Sequence, residues 1–441
     1  MTHHIKKLLV FILAIGFILP FNANATNGYF QIGYGPRMLA VAGVGTALPQ
    51  DSMAASMNPA GQAIVGKRLD FSMKYFAPIR SANSQFGGGP LRSKSKSELF
   101  LIPNFGYTRP LNDKMTIGIV AYANGGMNTD FAKDNGGVNL FGNNQSHLGV
   151  DLAQLIIAPT FTYKIADGQY LGISPLIGVQ LFKANGLQNF CALKLTGCVG
   201  GVGSPTANKG LTNQGREYSY GAGVRVGWLG QLTKNITAGA AFASKVYMTD
   251  FVDYDQLFAD GGSFDIPSNF SVGIAIKAMP KVTVAFDIQG IFYSDVDAIA
   301  NRGPTVLGAN VFAQGQGFLG QSNGLGFGWN DMYVYKLGMV YEHDREWTWR
   351  AGVSHTDQPI EGNQTAFNIL APAVVETHAT IGFSYRPKGD DHRVWTLTYM
   401  HAFSNTVTGQ FPVAFGGTPG TKQTRLEMYQ DAFDMGFTWE F

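Results

Sequence analysis

The chain has 441 residues, of which 14% are charged, 13% are aromatic and 56 are glycine, and its formal net charge is +2. Ordinary soluble proteins are about 25% charged, so this is not the composition of a typical soluble enzyme, and so small a net charge gives no basic face for nucleic acid. Beyond its first residues the chain has no apolar run long enough to cross a bilayer as a helix, which excludes a helical membrane protein.

Residues 1–25 read as a secretory signal. His3, His4, Lys6 and Lys7 form a basic start, and Leu8 to Leu19 is an apolar run too short to span a bilayer. Ala23-Asn24-Ala25 is a small-residue cleavage box, so the mature chain is expected to begin at Thr26. Residues 26–66 follow without sustained alternation. They are rich in Gly, Ala and Met, as in Ala54-Ala55-Ser56-Met57-Asn58-Pro59-Ala60-Gly61. One or two short helical turns fit between Thr46 and Ser56, and Pro59 ends any helix at or before Asn58. This segment is not wall.

From residue 67 to 441 the pattern becomes period-2. Strands are expected near 68–78, 98–109, 114–124, 148–165, 169–185, 217–231, 236–247, 266–277, 282–294, 330–343, 347–356, 374–386, 393–404 and 428–441. That gives about fourteen, the even number a bacterial single-chain barrel requires. Short connections such as Leu111 to Lys114 and Asp344 to Glu346 alternate with long ones such as 186–216 and 295–329. In such barrels the short turns face the periplasm and the long loops the outside. Apolar segments in those loops, Phe251-Val252 to Leu257-Phe258 and Val311-Phe312 to Phe318-Leu319, are candidate capture surfaces.

The faces are consistent along the strands. Trp347, Trp349, Ala351 and Val353 oppose Thr348, Arg350, Gly352 and Ser354. By the same rule Asp70, Lys74, Arg225, Asp287, Lys336, Arg350 and Asp434 face the lumen. On the lipid side a Lys or Arg near the midplane would cost about 2–4 kcal/mol. Inside, each can be a structural ion pair, a contact to a plug or a ligand site. Cys191 and Cys198 stand in a Gly-rich loop, and in an exported protein the simplest reading is a disulfide closing a small ring. No metal-ligand set accompanies them, so neither a metal nor a cofactor is expected. The chain ends Asp431 to Phe441 with Phe433, Met435, Phe437, Trp439 and Phe441 on one face. A terminal aromatic is how many bacterial outer-membrane barrels end, and Phe441 is the expected contact for the barrel-assembly machinery. The fold class is therefore all-β: an antiparallel transmembrane barrel in the bacterial outer membrane, in contact with outer-membrane lipid and lipopolysaccharide, and expected to be a monomer.

The stretch from Asn27-Gly28-Tyr29-Phe30 through Ala42-Gly43-Val44-Gly45 to Asn58-Pro59-Ala60 resembles the hatch of the FadL/TodX outer-membrane transporters. These carry long-chain fatty acids and other hydrophobic compounds. The resemblance covers the mature chain and implies that residues 26–66 plug the barrel. It also implies a lateral opening where the third strand is kinked, and Ala123-Asn124-Gly125-Gly126 is where a kink fits. From the residues alone, Asn124-Gly125-Gly126 can equally begin the next loop. If the lateral opening is the exit, replacing Gly125 and Gly126 with Val is expected to abolish uptake.

The resulting expectation is passive uptake of long-chain fatty acids: capture on loops, hatch movement and lateral release. Neutral aromatic or aliphatic hydrocarbons are the alternative cargo. A fatty acid needs a cation for its carboxylate. Rough alignment to the family points to Lys183, with Arg225 and Arg350 as lumen-facing alternatives. A lipase-like enzyme would need Ser, His and an acidic or amide partner brought together, and no Ser has a nucleophile context, so no catalytic residue is assigned. An open porin is disfavoured by the plug segment and the apolar loops. An adhesin or structural barrel stays open.

Overall fold

A computed structural model describes residues 27–86, 90–133, 137–193, 195–196, 208–304 and 317–441. Residues 1–26 lie outside it, and with them the signal and its cleavage site. Among the described residues, sixteen strands share one sheet. Two are short side pairs, Leu91–Lys94 on the first strand and Tyr247–Met248 on the sixth. The other fourteen form the wall: β1 (Arg68–Ser84), β2 (Phe100–Pro110), β3 (Met115–Asn128), β4 (Gly149–Ala166), β5 (Gln169–Asn185), β6 (Glu217–Thr233), β7 (Ile236–Ala243), β8 (Asn269–Met279), β9 (Val282–Ile291), β10 (Met332–Glu342), β11 (Trp347–His355), β12 (Thr377–Tyr385), β13 (Arg393–Gly409) and β14 (Thr424–Glu440). Each pairs antiparallel with its chain neighbour, and β14 returns to β1 from Arg68↔Glu440 to Asn83↔Arg425. Closure joins the first and last strands, which otherwise would be sheet edges that a bilayer would not tolerate.

The expected strands are all present, with shifted ends. β1, β13 and β14 run longer at the long-loop end, where the ladder pairs polar residues such as Ser81↔Glu427 and Thr408↔Arg425. A turn-forming composition did not stop the strands there, because three of them support one another. β7 stops early, at Ala243, because the Ser244 hydroxyl takes the Val224 N–H at 3.0 Å in place of a ladder carbonyl.

Side chains alternate as a membrane wall requires. Phe71, Met73 and Tyr75 of β1 and Phe433, Met435 and Trp439 of β14 are exposed on the outside. Asp70, Lys74, Arg225, Asp287, Lys336, Arg350 and Asp434 are all buried in the lumen. The apolar loop surface is different from the sequence-based expectation. Phe251 and Phe258 are buried against Phe182, and of the apolar residues in that run only Val252 is exposed. The aromatic rings gain more by covering each other over the barrel mouth than by facing water. In the second segment Leu319 is buried but Phe318 is exposed, as expected, while Val311 and Phe312 lie outside the described residues.

The segment before β1 is buried in the barrel, with short helical pieces rather than strands. They are one α turn, α1 (Pro36–Leu39), and two 3₁₀ turns, Ser52–Ser56 and Pro59–Ile64. Pro36 and Pro59 each sit in the first turn, where a missing N–H costs nothing. Asn58 thus caps a new turn as well as ending the previous one. Lumen-facing glycines let the plug backbone touch the wall. A methyl at Gly172 would collide with the Ala60 amide, and one at Gly352 would stand 2.7 Å from the Ala42 nitrogen.

Candidate functional site

The wall is interrupted between β2 and β3. Their ladder runs from Pro110↔Thr116 to Asn104↔Tyr122 and ends there. Phe100–Pro103 remain paired with β1 only. Beyond Tyr122, β3 remains paired with β4 only, and its register shifts between Ala123↔Leu155 and Gly125↔Gln154. Asn124 is the extra residue of a β-bulge, and a bulge bends its strand. Asn124-Gly125-Gly126 therefore lies within β3 and does not begin a loop.

A strand that leaves its neighbour exposes backbone groups that lipid cannot satisfy. The start of the plug meets them. Gln31 N donates to Asn124 O at 3.3 Å, Gly126 N donates to Tyr29 O at 3.2 Å, and Phe30 bridges to Gly125. The Gln31 side chain adds Nε2 to Ala123 O at 2.6 Å. Gly125 is required because a methyl there would collide with the Tyr29 carbonyl oxygen. The Asn124 side chain turns inward, donating from Nδ2 to Gln154 Oε1 at 3.1 Å and accepting from Tyr34 OH at 3.4 Å.

Behind this window lies a cavity of about 280 Å³. Phe30 and Ile32 of the plug, Leu101 and Ile102 of β2, Met127 of β3 and Met400 of β13 line it, with Trp329 from a loop. Two cations reach its wall, and both are engaged. Lys74 Nζ donates to Gln31 Oε1 at 2.5 Å and to Gly33 O at 3.1 Å. The Arg80 guanidinium donates to the carbonyls of Asn128 and Ser97, one on each side of the window, and packs 5.9 Å from the Phe100 ring centre. The result is a largely apolar chamber whose two cations are engaged by protein acceptors, with Arg80 Nε left without one.

The plug itself is held by a ring of polar wall contacts. Arg225 Nη1 donates to Ser56 O at 2.5 Å and to Tyr122 OH at 2.8 Å. Arg350 donates to Gln50 Oε1 at 2.6 Å and to Ser384 Oγ at 2.7 Å. Asp70 accepts from Ser52 N at 3.0 Å and from Thr438 Oγ1 at 2.6 Å. Burial, with the Asp70 charge beside it, pushes Asp51 of the plug up to about 6. Asp51 also caps the Ser52–Ser56 turn by accepting from Met53 N at 3.0 Å.

The named residues therefore fall in different places. Arg225 and Arg350 are lumenal and committed to the plug. Lys183 lies outside the cavity. It shares the outward side of β5 with Val179 and Leu181, opposite Asp151 in register. Its parity in the strand is what carries it outward, since Phe182 and Ala184 take the inner face. Cys191 lies in the turn Asn189–Ala192, and its pairing with Cys198 falls outside the described residues. Gln31, Lys74, Arg80 and Gln430 border the cavity. Of these the sequence marked only Lys74, as a lumenal charge. The others carry no local signal, because the window brings together four distant segments.

Asn58 of the Asn58-Pro59-Ala60 run ties plug to wall. Its Oδ1 accepts from Ala60 N at 3.1 Å, and its Nδ2 donates to Thr46 O and Trp228 O, each at 2.8 Å. Pro59 O accepts from Thr162 Oγ1 at 2.9 Å. Asn58→Ala removes a cap and leaves two buried carbonyls without this donor, a loss of about 1–3 kcal/mol. Faster hydrogen exchange of the Ala60 to Ile64 amides is expected, with the barrel ladders unchanged. Exchange at the parental rate would contradict this role.

Comparison with known proteins agrees with this architecture. Residues 34–410 match the family described as outer membrane protein transport protein (OMPP1/FadL/TodX). The long-chain fatty acid transport protein of Escherichia coli (strain K12) is 21% identical over 400 residues, covering 81% of this chain and 84% of that one. Among solved structures, a FadL homologue of Pseudomonas aeruginosa superposes with a TM-score of 0.68 at 16% identity, covering 94% of this chain and 100% of that one. The toluene transporter TodX of P. putida gives 0.66 at 18% identity, covering 93% and 99%. At these identities the two superpositions establish the shared fold.

Proposed function

The chain belongs to the outer membrane protein transport protein family (OMPP1/FadL/TodX), and from that premise we propose that it admits uncharged hydrophobic small molecules and releases them sideways into the membrane through the β2–β3 window. It is a multi-spanning outer-membrane barrel of a transporter family and not an enzyme. The observation that carries the substrate reading is the state of the cavity cations. Lys74 and Arg80 are both held by protein acceptors inside a largely apolar chamber. A carboxylate entering it would compete with Gln31 and Gly33 for Lys74 and with the Asn128 and Ser97 carbonyls for Arg80, whose Nε alone has no partner. A neutral molecule displaces nothing. Its binding is driven by apolar area removed from water, at roughly 25 cal/mol per Å².

The cavity is also small. Ligand pockets run from about 300 to 1,000 Å³, and this one is near the lower bound, which suits a compact molecule better than a full-length acyl chain. The apolar solute then has no reason to enter the aqueous periplasm when a bilayer adjoins the window. Movement down a concentration gradient supplies the drive. Residues 26–66 act as the hatch, and its start, Asn27 to Gln31, must leave the β3 edge for the path to open.

Long-chain fatty acids are the second reading, favoured by the name of the Escherichia coli relative. Uptake of labelled toluene and of labelled oleate by an outer-membrane transporter-deficient host, with and without this protein, separates the two. The proposal expects protein-dependent toluene uptake and oleate uptake at the host background. Protein-dependent oleate uptake with toluene at background would replace it by the fatty-acid reading.

A further inference from the structure

Among the described residues that line the cavity, three buried polar atoms have no hydrogen-bond partner in the protein: the Tyr29 hydroxyl, Arg80 Nε and Gln430 Oε1, of which only the last can act solely as an acceptor. Gln430 of β14 is fully buried and borders the cavity, and its Oε1 accepts no hydrogen bond. Its Nε2 lies 3.7 Å from Met428 Sδ. A thioether sulfur accepts weakly and cannot donate, so it takes the amide nitrogen and leaves the oxygen, itself buried, without a donor. The register neighbours cannot help. Gln430 stands opposite Pro78 on β1 and Ala402 on β13, one without an N–H and the other without a polar side chain. A buried carboxamide oxygen without a donor is costly, and low-dielectric surroundings raise that cost.

The Tyr29 hydroxyl can donate as well as accept and Arg80 Nε can only donate, so Gln430 Oε1 is the one pure acceptor of the three. Of the other polar side chains there, Asn128 Nδ2 donates to Leu152 O at 3.0 Å and Thr129 Oγ1 donates to Leu370 O at 2.7 Å. Met400, Met428 and Pro78 surround Gln430 with apolar, adaptable surface.

We infer that Gln430 is a specificity-determining residue, and that the cavity selects hydrophobic molecules carrying one uncharged hydrogen-bond donor, such as a hydroxyl, over equally sized hydrocarbons. The donor meets Gln430 Oε1, and the apolar body lies against the methionines and Ile32. This inference rests on the reading of the protein as a channel for uncharged hydrophobic molecules, and it narrows that class. A site that offers a buried hydrogen-bonding group discriminates strongly against an analogue that leaves the group unpaired, whereas apolar walls discriminate weakly.

The test uses the full chain in detergent with three probes built on one benzyl group: benzyl alcohol, benzyl methyl ether and toluene. Dissociation constants are corrected for partition into the micelles. The wild-type protein is expected to bind the alcohol about tenfold more tightly than its methyl ether, which keeps the acceptor and loses the donor. In Gln430→Leu the toluene-to-alcohol affinity ratio is expected to shift about tenfold toward toluene, because an apolar wall no longer gains from the hydroxyl. Equal binding of alcohol and ether by the wild type overturns the inference without any variant. An unchanged ratio in a folded Gln430→Leu, or in the longer Gln430→Met, also overturns it and leaves the channel reading standing. Binding of none of the three probes overturns both.

Discussion

Deletion of Asn124 is expected to reduce uptake at least tenfold, to the host background, while the barrel still folds. Asn124 is the one residue of β3 without a register partner on β4, between Ala123↔Leu155 and Gly125↔Gln154. Removing it makes that ladder continuous, and the bend that separates β3 from β2 loses its cause. Phe100–Pro103 and the outer half of β3 can then approach and close the window. The Gln31 N–H to Asn124 O bond disappears with the bulge. The double Val replacement at Gly125 and Gly126 suggested by sequence is a poorer test. A side chain at Gly125 would collide with the Tyr29 carbonyl, and one at Gly126 with the Leu152 carbonyl, so hatch and ladder would both be disturbed. Labelled-toluene uptake reports transport, and heat-modifiable electrophoretic mobility reports the barrel. A folded deletion variant that transports at the parental rate would exclude the window as the exit, and a route through the hatch to the periplasm would replace it.

Asp287→Ala is expected to unseat the hatch and turn a silent barrel into one that conducts ions steadily. Asp287 Oδ2 accepts from Gly45 N and from Thr46 N, both at 2.8 Å. Hydrogen bonds to a charged group contribute about 1.5–3 kcal/mol each. Its register neighbour Lys336 is fully buried and donates to Ile32 O and Gly43 O, each at 3.3 Å, and to Gln289 Oε1 at 2.8 Å. Without Asp287, Lys336 becomes a buried cation with no anion beside it, a penalty of about 3–5 kcal/mol. The hatch is one compact segment, so losing its middle is expected to free much of it. Planar-bilayer recordings should show persistent current for Asp287→Ala and little for the parent. Asp287→Asn keeps an oxygen for both N–H groups but loses the charge beside Lys336, and should fall between them. A folded Asp287→Ala barrel that stays silent, with its hatch protected from protease, would show that Asp287 does not hold the hatch.

The wall was legible because its rule is local. A residue's parity in a strand decides whether it meets lipid or lumen, so Trp349 and Arg350 could be assigned to opposite faces without any structure. Lys183 shows where that rule was not applied: placed by rough alignment, it falls on the outward parity of β5 beside Leu181. The loops misled for a related reason. Phe251 and Phe258 are apolar in sequence whether they face a substrate or pack on Phe182, and only tertiary packing separates the two.

The sequence by itself determined an exported all-β chain, fourteen strands with their faces, the lumenal charges and a non-strand segment in front of them. These follow from composition and from a two-residue period, which act over neighbouring residues. Tertiary structure decided what those parts do together. Closing the sheet brings Gln31, Lys74, Ala123 and Gln430 around one cavity, although some four hundred residues separate the first from the last. It commits Arg225 and Arg350 to the hatch, and it leaves Gln430 Oε1 without a partner. No local pattern can carry such facts, because hydrogen-bond satisfaction in a lumen depends on which distant backbone arrives opposite each side chain, and barrel closure and the path of the hatch set that.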